Sequence, residues 1–400
     1  MLEQFQTCLK KVDVLLNFLG LCFDSKDNNR TFMQKFRNRK IFFTHFMSLN
    51  LEVAAEVGWM VDAVVSGKGF LEIVYFLPCV TLGFICNLKS IAVLHNARAI
   101  NEFIDSIKIL ESMRLQIEED NDLKKKLIKE HVLNLVTITR KVSYVIVAGL
   151  LMFATGPMFI TLQRYHKTGE IIRELPFYAK YPFNQFDSRI YPCIYMHQMF
   201  AATEAIIMAY APDCLFFTSC TFVNIHFLLL QYDLERVVSE KSERLDKVKF
   251  KRLALRHIEL IRCVDLLEDT FSTTILVNAL TSSIIICATG FNALALTNVI
   301  LIASFTSFFV YGLMQIYLYC YYGDCIEKSS NYISDAIYQS LWYNIDAKDR
   351  KLFLIVMIRA QKPCQLTGKG FFAMNLIAFT SILSNSWSYF ALLKTMYHPE

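Results

Sequence analysis

The last apolar stretch of the 400-residue chain, Phe371–Tyr397, is studded with small polar side chains: Asn375, Thr380, Ser381, Ser384, Asn385, Ser386, Ser388 and Thr395. Asn385, Ser388, Leu392 and Thr395 step by three or four, so on a helix they share one face. A helix bathed in lipid has no use for such a face. It either bonds neighbouring helices or lines water in a pore formed by several copies, and in the second case Leu392 makes an apolar constriction that gates by dewetting. Acids inside apolar stretches are the next candidates. Glu52 and Glu56, four apart, mark a cation pathway or a partner for basic residues, or else turn to protein and water near the cytoplasmic headgroups. The headgroup reading is preferred, because Glu52 lies some twelve residues from the basic run Lys35–Lys40. Glu204, about ten residues into its apolar stretch, must face a cavity or a tyrosine hydroxyl.

A third constellation is apolar. Tyr75, Phe76, Cys79, Phe153, Gly156, Pro157, Met199, Thr203, Phe305 and Phe308 fall in the outer halves of four apolar stretches with few charges. Small-molecule pockets are lined this way, although ordinary helix packing explains any single member. Gly156-Pro157 is expected to break its helix and open a space. Catalytic signatures are missing: there is no His-Glu-x-x-His, Gly-x-Ser-x-Gly, Walker loop or dinucleotide fingerprint. The eight His are isolated, with His197 and His226 read as structural, and no Cys pair has CxxC spacing. No enzyme, metal site or cofactor is expected.

Membrane-spanning elements must hold these residues. Apolar residues make up 54%, charged residues only 19%, and mean hydropathy is +0.35, against about 45–50% and about 25% in an average soluble domain. A soluble globule would expose large apolar patches. The expectation is an all-α integral membrane chain of seven transmembrane helices, roughly Ile41–Val65, Phe70–His95, Val142–Gln163, Ile194–Leu230, Phe271–Phe291, Leu294–Tyr322 and Phe371–Tyr397. Six spans with a buried first helix is the alternative. Val12–Phe23 is too short to span, contains Asp13 and lacks a small-residue cleavage site, so it reads as an interfacial helix rather than a signal peptide.

Of the 41 Lys and Arg, 32 fall on the side shared by residues 1–40, 96–141, 231–270 and 323–362, and 7 on the other. The positive-inside rule makes the first side cytoplasmic, which puts the amino terminus inside and the carboxyl terminus outside. That is the reverse of a G-protein-coupled receptor, and Asp-Arg-Tyr and Asn-Pro-x-x-Tyr are also missing. The sequon Asn29-Arg30-Thr31 falls inside. A net charge of +5 without a basic stripe argues against nucleic acid.

Residues 98–140 and 233–268 alternate charge with apolar residues at helical spacing, so they read as extensions of the spans that pack into a cytoplasmic layer. Two further helices follow, Glu327–Tyr343 and Asp346–Gln361, with Asp346 as N-cap and Pro363 as terminator. Residues 164–193, rich in Pro and aromatics, read as an ordered outer lid without regular structure. The organisation expected is a cytoplasmic segment with the interfacial helix (1–40), six spans with pocket and extensions (41–322), cytoplasmic anchor helices (323–363), and a last helix with a short tail (364–400).

Three strings in the last third carry a resemblance. They are Tyr319-Cys-Tyr-Tyr-Gly-Asp324 with Asp335-Ala-Ile-Tyr338 and Trp342-Tyr343; Arg359-Ala-Gln-Lys-Pro363-Cys-Gln-Leu-Thr367; and Ser386-Trp-Ser-Tyr-Phe390-Ala-Leu-Leu-Lys394. In order and spacing the chain resembles the insect odorant receptors. Two departures are that Thr367 is followed directly by Gly368-Lys369, and that Trp387 stands where the family pattern often has Tyr. The resemblance implies a ligand-gated, non-selective cation channel of four subunits around one pore, in the plasma membrane of an olfactory neuron dendrite. It implies a pore on Asn385, Ser388, Leu392 and Met396 with the gate at Leu392, a subunit-holding layer at 327–362 with Trp342 and Tyr343, and a volatile odorant in the outer pocket. The partner would be a shared co-receptor subunit, and membrane lipid the surroundings. Only about 40 residues separate Leu230 from Phe271, where the co-receptor carries a long insertion, so the resemblance implies a tuning subunit. The rivals are a G-protein-coupled-type chemosensory receptor and a gustatory receptor channel, the latter disfavoured by Ser388-Tyr389 running on to Leu393-Lys394.

Overall fold

A computed structural model describes residues 1–21, 40–116, 121–171, 173–238, 246–296 and 298–396, with backbone only at 70–72 and 396. The sequon at Asn29 and the side chain of Met396 lie outside the described set. Among the described residues there are ten α-helices: α1 (Leu2–Phe18), α2 (Lys40–Val65), α3 (Phe70–His95), α4 (Ala97–Leu115), α5 (Asp122–Thr168), α6 (Tyr191–Glu235), α7 (Lys247–Ala295), α8 (Val299–Gln339), α9 (Ala347–Ala360) and α10 (Leu376–Met396). Six of them, α3, α5, α6, α7, α8 and α10, are long and apolar enough to cross a membrane. The acid-bearing α2 is not among those six, though it is 26 residues long.

Local chemistry sets the helix ends. The side chains of Asn121, Asp246 and Asn298 accept hydrogen bonds from the first free backbone N–H groups of α5, α7 and α8, at 2.9–3.3 Å. α5 ends on Gly169 in the left-handed conformation, φ 73°. Asp346 does sit at the N-cap of α9, but its side chain makes no capping bond.

α5 to α8 run 41–49 residues, about 60–75 Å at 1.5 Å per residue, twice the hydrocarbon thickness of about 30 Å. They therefore project beyond a membrane at one end. There α1, α4 and α9 pack around them in a helical layer, of which α4 comes from the stretch of alternating charge, while α1, read from sequence as an interfacial helix, buries Phe5, Cys8, Val12 and Leu16 against protein. The apolar face of α1 is covered by protein, with Phe5 edge-on to Phe222 at 4.9 Å. Phe250 of α7 stacks on Phe353 of α9 at 4.2 Å, beside an ion pair of Lys247 and Asp349 at 3.0 Å. Asp233 joins Lys124 and Arg256 in a buried cluster linking α5, α6 and α7, at 2.6 and 2.9 Å.

α6 is the central helix and is buried on all sides along its apolar stretch, whereas α5 and α10 lie at the periphery. That accounts for the run of about 37 apolar residues in α6: a helix apolar all round is one surrounded by protein. One expectation is corrected. α5 continues unbroken through Gly156-Pro157 to Thr168. Gly156 instead marks a close approach, because a Cβ there would come within 3.1 Å of Ile300 Cγ2 on α8. Pro157 carries no N–H, so the helix runs through it one backbone hydrogen bond short.

A candidate ligand cavity and an uncovered tail-helix face

Residues 169–190 cross the other end of the bundle without regular structure. The Gln198 side chain holds this loop by two bonds to the backbone of Phe177, at 3.1 and 2.9 Å. Lys180 N–H donates to the Ala55 carbonyl at 2.9 Å, and its ammonium pairs with Asp62 at 2.5 Å. The loop thus closes over the space between α2 and α6.

Beneath it lies an apolar cavity of about 120 Å³ walled by α2, α3, α5, α6 and α8. An apolar cavity of about 150 Å³ is enough to bind benzene. Of the apolar constellation singled out from sequence, Cys79, Phe153 and Phe308 line it. Tyr75, Phe76 and Phe305 form the aromatic shell beside it: Tyr75 meets Phe305 at 4.9 Å, and Phe76 meets Trp59 at 4.0 Å. Phe153 bridges shell and cavity, edge-on to Phe305 at 6.5 Å and stacked on Phe177 of the loop at 5.5 Å. The structure does not bring Gly156, Pro157, Met199 or Thr203 to this wall. Gly156 faces a separate shallow groove between α5 and α8 with Met152 and Ile300, and Thr203 donates back to the Met199 carbonyl at 2.8 Å.

Sequence reasoning missed what makes the room. Ala201, Ala202, Ala205 and Ala209 on α6 and Gly149 on α5 leave the space that the aromatics surround. An alanine stripe at helical spacing was the available signal. The preferred reading of the acid pair is also corrected. Glu52 and Glu56 line the cavity at the loop end, away from the basic residues around Lys40. The Tyr181 hydroxyl donates to Glu52 Oε2 at 2.7 Å, and His197 Nδ1 lies 3.3 Å from the same oxygen. Glu204 meets His45 Nδ1 at 2.5 Å, so its partner is an imidazole rather than a tyrosine.

The last helix is delivered by a hairpin. Lys369 and Gly370 both have positive φ, 53° and 77°, the backbone of a tight reversal, so the Gly368-Lys369 departure falls at a turn. Met374 N–H donates to the Leu366 carbonyl at 2.7 Å. Glu268 of α7 accepts from the backbone N–H of Thr367 at 2.7 Å and from its hydroxyl. Glu327 of α8 accepts from Gln365 at 2.8 Å and Asn375 at 3.2 Å. Asn375 in turn caps α10, accepting from Ile377 and Ala378 N–H, both at 3.1 Å.

From that base α10 packs one side on α7 and α8 through Phe379, Ile382, Leu383, Phe390 and Leu393. The opposite face, with Asn385, Ser388, Leu392 and Thr395, is exposed, Leu392 by 57%. Ser388 and Thr395 donate to backbone carbonyls of their own helix, at 3.1 and 2.7 Å. No described residue of another helix bonds this face. Trp342 and Tyr343 fall in a short 3₁₀ turn at the far end of α8, Trp342 half-buried and Tyr343 exposed.

Membrane-length helices around a loop-covered apolar cavity define a multi-span membrane protein with a candidate small-molecule site. The 7tm odorant receptor family model matches residues 70–387, and the chain belongs to that family, which makes it a receptor rather than an enzyme. It is 22% identical over 377 residues to odorant receptor 67a of Drosophila melanogaster, covering 90% of this chain and 91% of that one. With odorant receptor 85c of the same fly it shares 25% identity over 262 residues, 66% and 67% of the two chains. Its fold is similar to the olfactory receptor OR5 from Machilis hrabei, with TM-score 0.80 at 15% identity over 99% of this chain and 100% of that one. The eugenol complex of OR5 gives a TM-score of 0.81 at 16% identity over the same shares.

Proposed function

We propose that the chain is the tuning subunit of an odorant-gated, non-selective cation channel, assembled with co-receptor subunits into a tetramer around one pore. In this reading α2 is the first of seven spans, the amino terminus is cytoplasmic, and the loop end faces outward. The observation that carries it is the face of α10. A polar row left bare on a peripheral helix, with its hydroxyls turned to their own backbone, is costly in lipid and suited to water shared between subunits. Asn385, Ser388 and Met396 would line that pore, Leu392 would gate it, and the 3₁₀ turn at Trp342 and Tyr343 would lie in the subunit-holding layer. The eugenol complex of a relative with this fold supports an odorant reading of the cavity.

A ligand moves the gate only by binding the open state better than the closed one. Cells expressing the chain with a co-receptor should therefore pass odorant-evoked current in excised patches without nucleotide. Absence of current at full surface expression would refute the channel reading. An epitope tag after Glu400 should stain unpermeabilised cells, and staining only after permeabilisation would favour a G-protein-coupled topology.

Two substitutions separate gate from cavity. Leu392→Ala is expected to raise resting current severalfold, because the greasy ring that excludes water is widened. Unchanged leak in a well-expressed variant would remove Leu392 from that role. Ala202→Phe, which fills the cavity, is expected to abolish the response to odorant while leaving resting current as it was. A normal dose–response curve would move the odorant site elsewhere.

A further inference from the structure

The cavity wall is apolar except at one pole. Glu52 and Glu56 leave α2 one turn apart, with about 5–6 Å between Cβ atoms, and both line the cavity. They are 4% and 5% exposed. Glu52 commits Oε2 to Tyr181 and His197, while its Oε1 is buried without a hydrogen-bond partner among the described residues. Glu56 forms no hydrogen bond or ion pair with any described residue. The nearby ammonium of Lys180 is held outside by Asp62.

Two carboxyl groups buried a turn apart in an apolar space need donors between them, since a buried polar oxygen without a hydrogen-bond partner is costly. The ligand that supplies them is constrained by its donor count. An ester or ketone brings only acceptors and would set lone pairs against lone pairs. A hydroxyl brings one donor and leaves its own acceptors unmet. A primary ammonium brings three donors and no acceptor.

We propose that the cavity takes a small primary amine, bound as its ammonium between Glu52 Oε1 and Glu56, with the carbon tail against Phe153, Phe308 and the alanine stripe of α6. The proposal rests on the odorant reading of the cavity and narrows it to one ligand class. Phe153 and Phe177, stacked at 5.5 Å, add aromatic faces at the same end, which favour a cation over a neutral head of equal size.

The test uses the purified full-length chain in lipid nanodiscs, with 1-hexylamine, 1-hexanol and 2-hexanone as probes of one length. Binding is read from tryptophan fluorescence, since Trp59 lies 4.0 Å from Phe76 of the aromatic shell. Hexylamine is expected to bind at least about tenfold more tightly than hexanol, the equivalent of one charge-assisted hydrogen bond. Glu56→Gln should erase that ratio, and Glu52→Gln should reduce it. Equal affinity of amine and alcohol in the unaltered chain would overturn the proposal whether or not the variants fold. A preference that survives both substitutions would overturn it too. In either case the odorant reading stands if the neutral probes bind and Ala202→Phe blocks them. If no probe binds, or if Ala202→Phe blocks none of them, the cavity is not the site and both readings fall.

Discussion

Asp213→Ala is expected to destabilise the chain by ~3–5 kcal/mol, the cost of stranding a buried charge. Asp213 sits on the central helix α6 and accepts three bonds, all at 2.6 Å: Lys89 Nζ from α3, the Tyr319 hydroxyl from α8 and the Gln315 amide from α8. Lys89 and Asp213 are each 1% exposed. Without the carboxylate, the Lys89 ammonium is left buried without its anion. The loss should appear as a lower melting temperature in detergent and poorer surface expression. Lys89→Leu combined with Asp213→Leu should recover stability over Asp213→Ala alone, since removing both charges leaves none unpaired. An unchanged melting temperature for Asp213→Ala, or a double variant worse than the single one, would refute the account. Gln315 also contacts the hydroxyl of Tyr311 at 3.3 Å, and Tyr311 lines the cavity. The network therefore reaches the cavity wall, and its loss should disturb the cavity as well as folding.

The second large effect is expected at Gly323, within the Tyr-Tyr-Gly-Asp string. A Cβ built on Gly323 would lie 2.0 Å from the carbonyl oxygen of Met374. That oxygen is backbone, so no rotamer change relieves the overlap. Met374 belongs to the hairpin clamped by Glu268 and Glu327, and the hairpin sets the base of α10. Gly323→Ala must then push the hairpin off α8 or bend α8 itself, at ~1–3 kcal/mol or more. Because α10 bears the proposed pore face, odorant-evoked current per receptor at the surface should fall severely. Gly69→Ala is the control, since a methyl there meets nothing within 4 Å. Full current in Gly323→Ala would show that the hairpin does not set the pore helix.

Much of the architecture was legible from local patterns. Apolar length pointed to seven spans, and six of those stretches lie in helices long and apolar enough to cross a membrane. Charge alternating with apolar residues found the helical layer at the far end, and proline with aromatics found the covering loop. The shared face of Asn385, Ser388 and Leu392 followed from spacing alone, but whether it bonded neighbouring helices was left open. The structure leaves it bare in the single chain because Phe379, Ile382, Phe390 and Leu393 occupy the packed side.

The cavity was less legible. Tyr75, Phe76, Phe153, Phe305 and Phe308 converge as their apolar bulk suggested. Met199 and Thr203 do not reach the wall, and the alanines of α6 that create the space carry no chemistry to notice. Gly156 read as a break and is a contact. Glu52 read as a headgroup neighbour, because its distance from Lys40 was counted along the chain. Its real neighbours, Tyr181 and His197, are more than a hundred residues away in sequence.

The sequence by itself determined that this is a multi-span helical membrane protein, with a polar row on its last helix and an aromatic region at one end. Hydropathy and helical period are properties of a single segment, and so they survive without the fold. Only the tertiary structure decided which faces meet: that α6 is surrounded, that small residues rather than large ones open the cavity, and that two acids point into it. Those outcomes depend on contacts between distant helices, where one missing methyl group or one turn of register changes what a side chain sees.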